Sequence, residues 1–158
     1  MADEEDLVEY KGGCHCRDVR FTVEAPRHLI CIDCTCSICA MRRNTHFVVP
    51  ASRFHLEGAS EDKITTYTYN THVAKHRFCR RCGVLSFYTP RSNPDGVAVT
   101  LWCLDAPMPV CTRDASGPRG GDPPPSRGDG RTFEIRVFDG EQWEANIEAS
   151  GIRQLSKH

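Results

Sequence analysis

The 158 residues are 39% hydrophobic and 26% charged, with 20 Lys and Arg against 21 Asp and Glu, which is the balance of an ordinary water-soluble domain. A net charge of −1 supplies no general field for drawing in nucleic acid or an anionic membrane, and no apolar run reaches spanning length, so neither partner is expected. The length suits one domain with a real core rather than two.

The opening MADEEDLVEY is acidic and lacks the apolar stretch of a secretory signal. Residues 1–9 therefore read as an acidic leader, residues 10–158 as the domain, and the cytosol or nucleus as the compartment. Val19, Phe21 and Val23 alternate with polar neighbours, and Thr45 to Val49, Ile64 to Tyr69, Leu85 to Tyr88 and Val97 to Leu101 are further β-type runs separated by turn residues. From Asp105 to Arg131 the composition turns to Pro, Gly and charge, which predicts an exposed insertion at about 106–131. Its Arg127-Gly128-Asp129 tripeptide is a chance match in a cytosolic chain. Thr132 to Phe138 predicts a last strand. After the turn-like Asp139 and Gly140, the spacing of Trp143 and Ile147 predicts a C-terminal helix. The fold class expected is mainly β, in one domain, with a short C-terminal helix.

Ten cysteines in a reducing compartment point to metal ligation rather than to a disulfide framework. Seven fall into three clusters: Cys14 and Cys16 in GGCHC, Cys34, Cys36 and Cys39 in CTCSIC, and Cys79 and Cys82 in FCRRCG. Zinc takes thiolates in tetrahedral sets, and a C-x-x-C turn offers two sulfurs to one ion. Cys79 to Gly83 has the form of a zinc knuckle, in which glycine permits the left-handed backbone that turns amides toward the sulfurs. Two more ligands come from the pair or from the triplet, but a triplet plus a pair would make five. Pairing Cys14 and Cys16 with Cys79 and Cys82 closes a four-thiolate structural site. It leaves Cys34, Cys36 and Cys39 as a second, open site, for two zinc ions per chain. Three thiolates make a zinc that activates water poorly and suits a thiolate from a substrate. Arg42 and Arg43 follow the triplet and read either as cations serving that site or as a solvated pair.

Cys31 is the alternative that matters most, because as a ligand it would fill the vacancy. It also ends the apolar run Leu29-Ile30, where a buried thiol packs as a small hydrophobe. Cys103 reads as a core thiol and Cys111 as a loop thiol. His15 is expected to point away from the metal, and His46, His72 and His76 read as packing or surface residues rather than ligands.

The cysteine clusters in this order, with NTHFVVPASRF, ITTYTYNTHVAKHRFCRRCGVLSFYTPRSNPDG, WCLD and FDGEQWE, resemble the glutathione-dependent formaldehyde-activating enzyme family, most closely its centromere protein V branch. The resemblance implies a β-tent fold of small coiled antiparallel sheets. It also implies Cys14, Cys16, Cys79 and Cys82 as structural zinc ligands and Cys34, Cys36 and Cys39 as the catalytic set. The activity implied is that of a carbon-sulfur lyase adding glutathione to formaldehyde to give S-hydroxymethylglutathione, with a small thiol and an aldehyde as partners. The alternative is a non-catalytic zinc module that binds a protein partner. Centromere protein V has a long basic, proline-rich extension where this sequence begins with a short acidic stretch, so chromosome and microtubule roles do not carry over.

Overall fold

The computed structural model describes residues 6–113 and 129–157. In chain order the strands are Leu7–Gly13 (β1), Arg20–Pro26 (β2), His28–Cys34 (β3), Thr45–Pro50 (β4), Phe54–Leu56 (β5), Ile64–Tyr67 (β6), Lys75–Cys79 (β7), Phe87–Thr89 (β8), Gly96–Thr100 (β9), Val110–Arg113 (β10) and Thr132–Phe138 (β11). Two α-helices join them, Ser37–Arg42 (α1) and Trp143–Ser150 (α2). The architecture is mainly β with a short C-terminal helix, as the sequence predicts.

Alternation along β2 sends Phe21, Val23 and Ala25 to one face, where all three are fully buried, and leaves Thr22 and Glu24 on the other. Antiparallel pairing with β1 and β5 makes β2 the centre of a three-stranded sheet. Leu7, Val8 and Glu9, inside the expected leader, pair with β2 in this sheet. The remaining strands form a second sheet in the order β10-β11-β3-β4-β9-β8-β7-β6. Its pairs are antiparallel except β10 with β11 and β11 with β3. β4 and β9 lie inside this sheet and are covered on both faces, which is why THFVV and GVAVT are buried almost throughout.

Parity divides the large sheet into two faces with different jobs. Leu29, Cys31, Phe47, Val49, Val97, Val99 and Phe87 point toward the three-stranded sheet and pack with Tyr10, Phe21 and Val23 in the main core. Ile32, Cys34 and Phe138 point the other way and pack with Cys39 and with Ile147 of α2, while Val48, Tyr88 and Ala98 form a third cluster. The tilted and edge-on rings of Phe21, Phe54 and Phe87 hold the two sheets together at 4.6–6.2 Å between centroids.

Several elements depart from the sequence expectation. β10 lies inside the expected insertion because its backbone completes the parallel edge beside β11. Residues 114–128 of that insertion, including Arg127 and Gly128 of the tripeptide, lie outside the described residues. α1 sits within the cysteine triplet, where six residues are too few to show a period. β3 and β7 carry ligand-type cysteines and charges in place of a clean apolar alternation. Among the described residues, no helix is long and apolar enough to cross a membrane.

Candidate metal centres

The sulfurs of Cys14, Cys16, Cys79 and Cys82 lie within 4.8 Å of one another, and so do those of Cys34, Cys36 and Cys39. The chain therefore brings together both sets that the sequence suggested, and it places them on different faces. Cys14 and Cys79 belong to the main core between the sheets, whereas Cys34 and Cys39 belong to the cluster beneath α2.

Two similar turns build the first set. After β1, Cys14 accepts the Val19 amide at 3.3 Å and Arg17 adopts a left-handed φ of 69°. After β7, Cys79 accepts the Arg81 and Cys82 amides at 3.4 and 3.5 Å, and Gly83 takes φ 76°. The knuckle glycine thus has the conformation expected of it, while Arg17 adopts the same region with a side chain attached. Sγ–Sγ separations are 3.6 Å for Cys14–Cys16 and 3.5 Å for Cys16–Cys79. Four sulfurs about 2.3 Å from one tetrahedral ion stand roughly 3.8 Å apart, so the donor set fits zinc.

The triplet is held by a junction distant in sequence. Cys34 ends β3, Cys36 is the residue before α1, and Cys39 lies one turn into that helix. The parallel register sets Cys34 beside Phe138, and the Thr35 amide donates to the Phe138 carbonyl at 3.0 Å. Gly140 then presses on the triplet: a Cβ there would stand 2.5 Å from Cys34 Sγ and 2.7 Å from the Cys36 amide nitrogen. The three thiols are close enough to divide their protons unevenly. The Cys34 and then the Cys39 thiols hold Cys36 down to about 2, and Cys36 in turn pushes Cys34 up to about 11, while Cys34 and Cys36 raise Cys39. Negative charge crowded among three sulfurs is what a soft divalent cation relieves, so this set also fits zinc.

Cys31 stands outside the triplet. One strand cannot turn both residue 31 and residue 34 to the same face, and Cys31 is fully buried in the main core, where burial pushes its thiol up to about 12. Cys103 and Cys111 likewise join neither set.

A cavity of about 480 Å³ opens over the triplet, lined by Cys34, Cys36 and Cys39 with residues of β4, β8, β11 and α2. None of the four sulfur-bearing residues of the other set lines it. Two histidines read from the sequence as packing residues, His46 and His76, are buried in its wall. The Tyr88 hydroxyl lies 3.2 Å from His46 Nε2, and the His76 ring stacks on Tyr88 with centroids 5.2 Å apart. Burial lowers His46 to about 4 and lowers His76, so both imidazoles are neutral at neutral pH. His46, Tyr88 and His76 share the triplet's face because their strands are in register, with Ile32 opposite His46 and His76 opposite Tyr88. That three-strand juxtaposition leaves no mark in any local sequence window.

A family model described as glutathione-dependent formaldehyde-activating enzyme matches residues 9–116. The chain belongs to this family. Proteins of the family bind zinc, and both cysteine sets here are compatible with that ion. Membership also carries glutathione- and formaldehyde-linked or related thiol chemistry as the family's activity. The fold is similar to the crystal structure of a Rhodobacter sphaeroides protein solved as a structural genomics target. The two are 32% identical, the match covers 61% of this chain and 88% of that one, and the TM-score is 0.55.

The polar residues of the cavity extend beyond the cysteines. Arg91, from the loop after β8, lies on the cavity wall with its guanidinium carbon 3.5 Å from the centroid of the Trp143 ring. Its Nη2 donates to Glu144 Oε1 at 3.1 Å. Arg42, by contrast, lies over Phe78 at 5.6 Å, and Arg43 ends α1 in a left-handed conformation with φ 52°. Both are exposed and neither lines the cavity, so they fit the reading as a solvated pair.

Proposed function

We propose that this chain is a zinc-dependent enzyme of carbon-sulfur lyase type that adds glutathione or a related thiol to formaldehyde. The observation that carries the reading is the asymmetry between the two cysteine sets. The four-sulfur set lies at the edge of the main core, with Cys14 and Cys79 buried and Cys16 and Cys82 half-buried, and takes no part in the cavity, while the three-sulfur set forms the floor of that open cavity with neutral histidines and a tyrosine on its wall. In this reading Cys14, Cys16, Cys79 and Cys82 hold a structural zinc, and Cys34, Cys36 and Cys39 hold a second.

Zinc bound to the triplet would lower the pKa of an incoming thiol and keep it as a thiolate at neutral pH. The chain's own residues supply the rest. The apolar walls from Ile32, Phe138 and Ile147 exclude water from around the sulfur, and the cavity gives the thiol's remaining bulk a fixed path. In the reaction a sulfur–carbon bond forms and the carbonyl π-bond opens. The proton that left the thiol ends on the former carbonyl oxygen, so no oxidant or reductant is required. With neutral His46 donating its Nε2–H to the Tyr88 oxygen, the Tyr88 hydroxyl proton is left to donate to the former carbonyl oxygen as charge develops on it.

A nearer relation to the centromere protein V branch forms part of the proposal and is supported by the motifs CTCSIC and FCRRCG. A reducing compartment, cytosol or nucleus, suits seven thiols committed to metal.

Metal analysis of the purified chain should give two zinc ions per chain. Exchange of formaldehyde between free and glutathione-bound forms, followed by NMR, should be faster than the spontaneous rate. Cys36→Ser should drop the zinc content to one and remove the acceleration while leaving a folded protein. Two zinc ions with no acceleration, and no thiol able to perturb the second, would support the non-catalytic interaction module instead.

A further inference from the structure

We infer that Arg91 is the anchor for a carboxylate on the incoming thiol, so that the three-cysteine site selects carboxylate-bearing thiols of peptide size. This inference rests on the reading of that site as a thiol site. Four observations converge on it.

The first is charge. Three thiolates on a divalent ion leave a unit negative charge at the floor, and the lining adds Glu141 and Glu144. An anionic thiol approaching such a surface is repelled unless a fixed cation offsets it. Among the described residues that line the cavity, Arg91 is the sole Lys or Arg.

The second is preorganisation. The guanidinium lies over the Trp143 face, and Trp143 packs against the cluster that contains Ile32, Cys34 and Cys39. Floor and anchor are therefore tied to the same cluster through Trp143. The third is spare capacity. Arg91 spends one of its five N–H donors on Glu144, whose side chain is 80% exposed. So exposed an ion pair is held only weakly. It orients the guanidinium without saturating it, and leaves the planar fork available for the two oxygens of a carboxylate.

The fourth is size. A cavity of about 480 Å³ lies within the roughly 300–1,000 Å³ range of small-molecule sites. Formaldehyde and a two-carbon thiol would leave most of it empty. A thiol of peptide size, with a carboxylate remote from its sulfur, would fill it from floor to rim.

The test uses holo-protein with cobalt in place of zinc, whose sulfur-to-cobalt absorption reports a thiol at the triplet. Dissociation constants are measured for glutathione, glutathione diethyl ester and 2-mercaptoethanol, in wild type, Arg91→Ala and Arg91→Lys. Wild type should bind glutathione about 10- to 100-fold more tightly than the diester, the range of one charged hydrogen-bonded contact. Arg91→Ala should erase that preference by weakening glutathione alone, Arg91→Lys should retain part of it, and 2-mercaptoethanol should bind all three proteins equally. The comparison of acid with ester in wild type needs no variant, so a loosened Trp143 wall in Arg91→Ala cannot mask the answer. Equal affinity for acid and ester in wild type overturns the inference and leaves the thiol site standing. Equal weakening of acid and ester in Arg91→Ala does the same. A spectrum that no thiol changes overturns the thiol site and this inference with it.

Discussion

Replacing Cys79 by serine tests whether the four-sulfur set is the staple of the fold. Cys79 is 1% exposed, lies 3.5 Å from Cys16 across 63 residues of chain, and accepts two backbone amides. Serine is near in shape but keeps its proton at neutral pH, so the tetrahedral set falls from four thiolates to three. Structural zinc sites contribute about 10–16 kcal/mol to folding, against a whole-domain stability of about 5–15 kcal/mol. Weakening the site by even a third therefore removes several kcal/mol. At about 2–4 °C per kcal/mol for a domain of this size, a loss of about 4 kcal/mol lowers Tm by about 8–16 °C. Urea unfolding and metal analysis of the purified variant measure both quantities. Chelator-treated wild type should unfold at least as easily as Cys79→Ser. A variant that keeps two zinc ions and melts within about 2 °C of wild type would refute the assignment.

Gly140→Ala places a methyl group 2.5 Å from Cys34 Sγ and 2.7 Å from the Cys36 amide, so it should displace the triplet from the floor of the cavity. Metal analysis should show one zinc rather than two, with Tm lowered far less than by Cys79→Ser; an unchanged zinc count would show that the turn yields freely. The Arg20–Asp105 pair joins β2 to the segment after β9, and the Arg20 guanidinium bonded to Asp105 holds its carboxyl below the ordinary carboxylate value. A lowered folded-state pKa contributes stability above the ordinary value of about 4, lost as pH falls through the lowered one. Asp105→Asn should therefore flatten the acid side of the stability–pH profile. At neutral pH it should cost about 1 kcal/mol or less, because the Asp105 side chain is 36% exposed; an acid limb identical to wild type would refute this.

What the sequence made legible follows from range. Cysteine spacing of two or three residues is a local signal, so the pair at Cys14 and Cys16, the triplet and the knuckle at Cys79 to Gly83 were all visible. β2 was visible through its alternation and α2 through Trp143 and Ile147. β3 and β7 were not, because a strand that carries ligands on one face and core on the other loses its apolar period. The fate of Cys31 depended on strand parity: three residues before Cys34 means the opposite face if β3 is extended, but a neighbouring position if the segment is helical. His46 and His76 are buried and belong to neither sulfur set, as read, but burial alone does not separate a packing histidine from one that also lines a cavity. Only the registers of β3 with β4 and of β7 with β8 do so. Arg91 had no signal beyond its place in a proline turn.

The two halves of the candidate site reach it by different routes. All seven clustered cysteines lie within residues 9–116, the span the family model matches, whereas Phe138, Gly140, Trp143, Glu144 and Ile147 of the cavity lie beyond it. What joins them is the parallel register of β3 with β11, sealed where Thr35 meets Asp139 and Gly140 across more than 100 residues. A strand pair of that separation carries a large loop-closure entropy. The β3–β11 register thus shapes the cavity and also braces the triplet through Thr35 and Gly140, while the four-sulfur set joins two short turns 63 residues apart. Trp143 and Glu144, which hold Arg91 on the cavity wall, reach the site through that register and not through the cysteine turns.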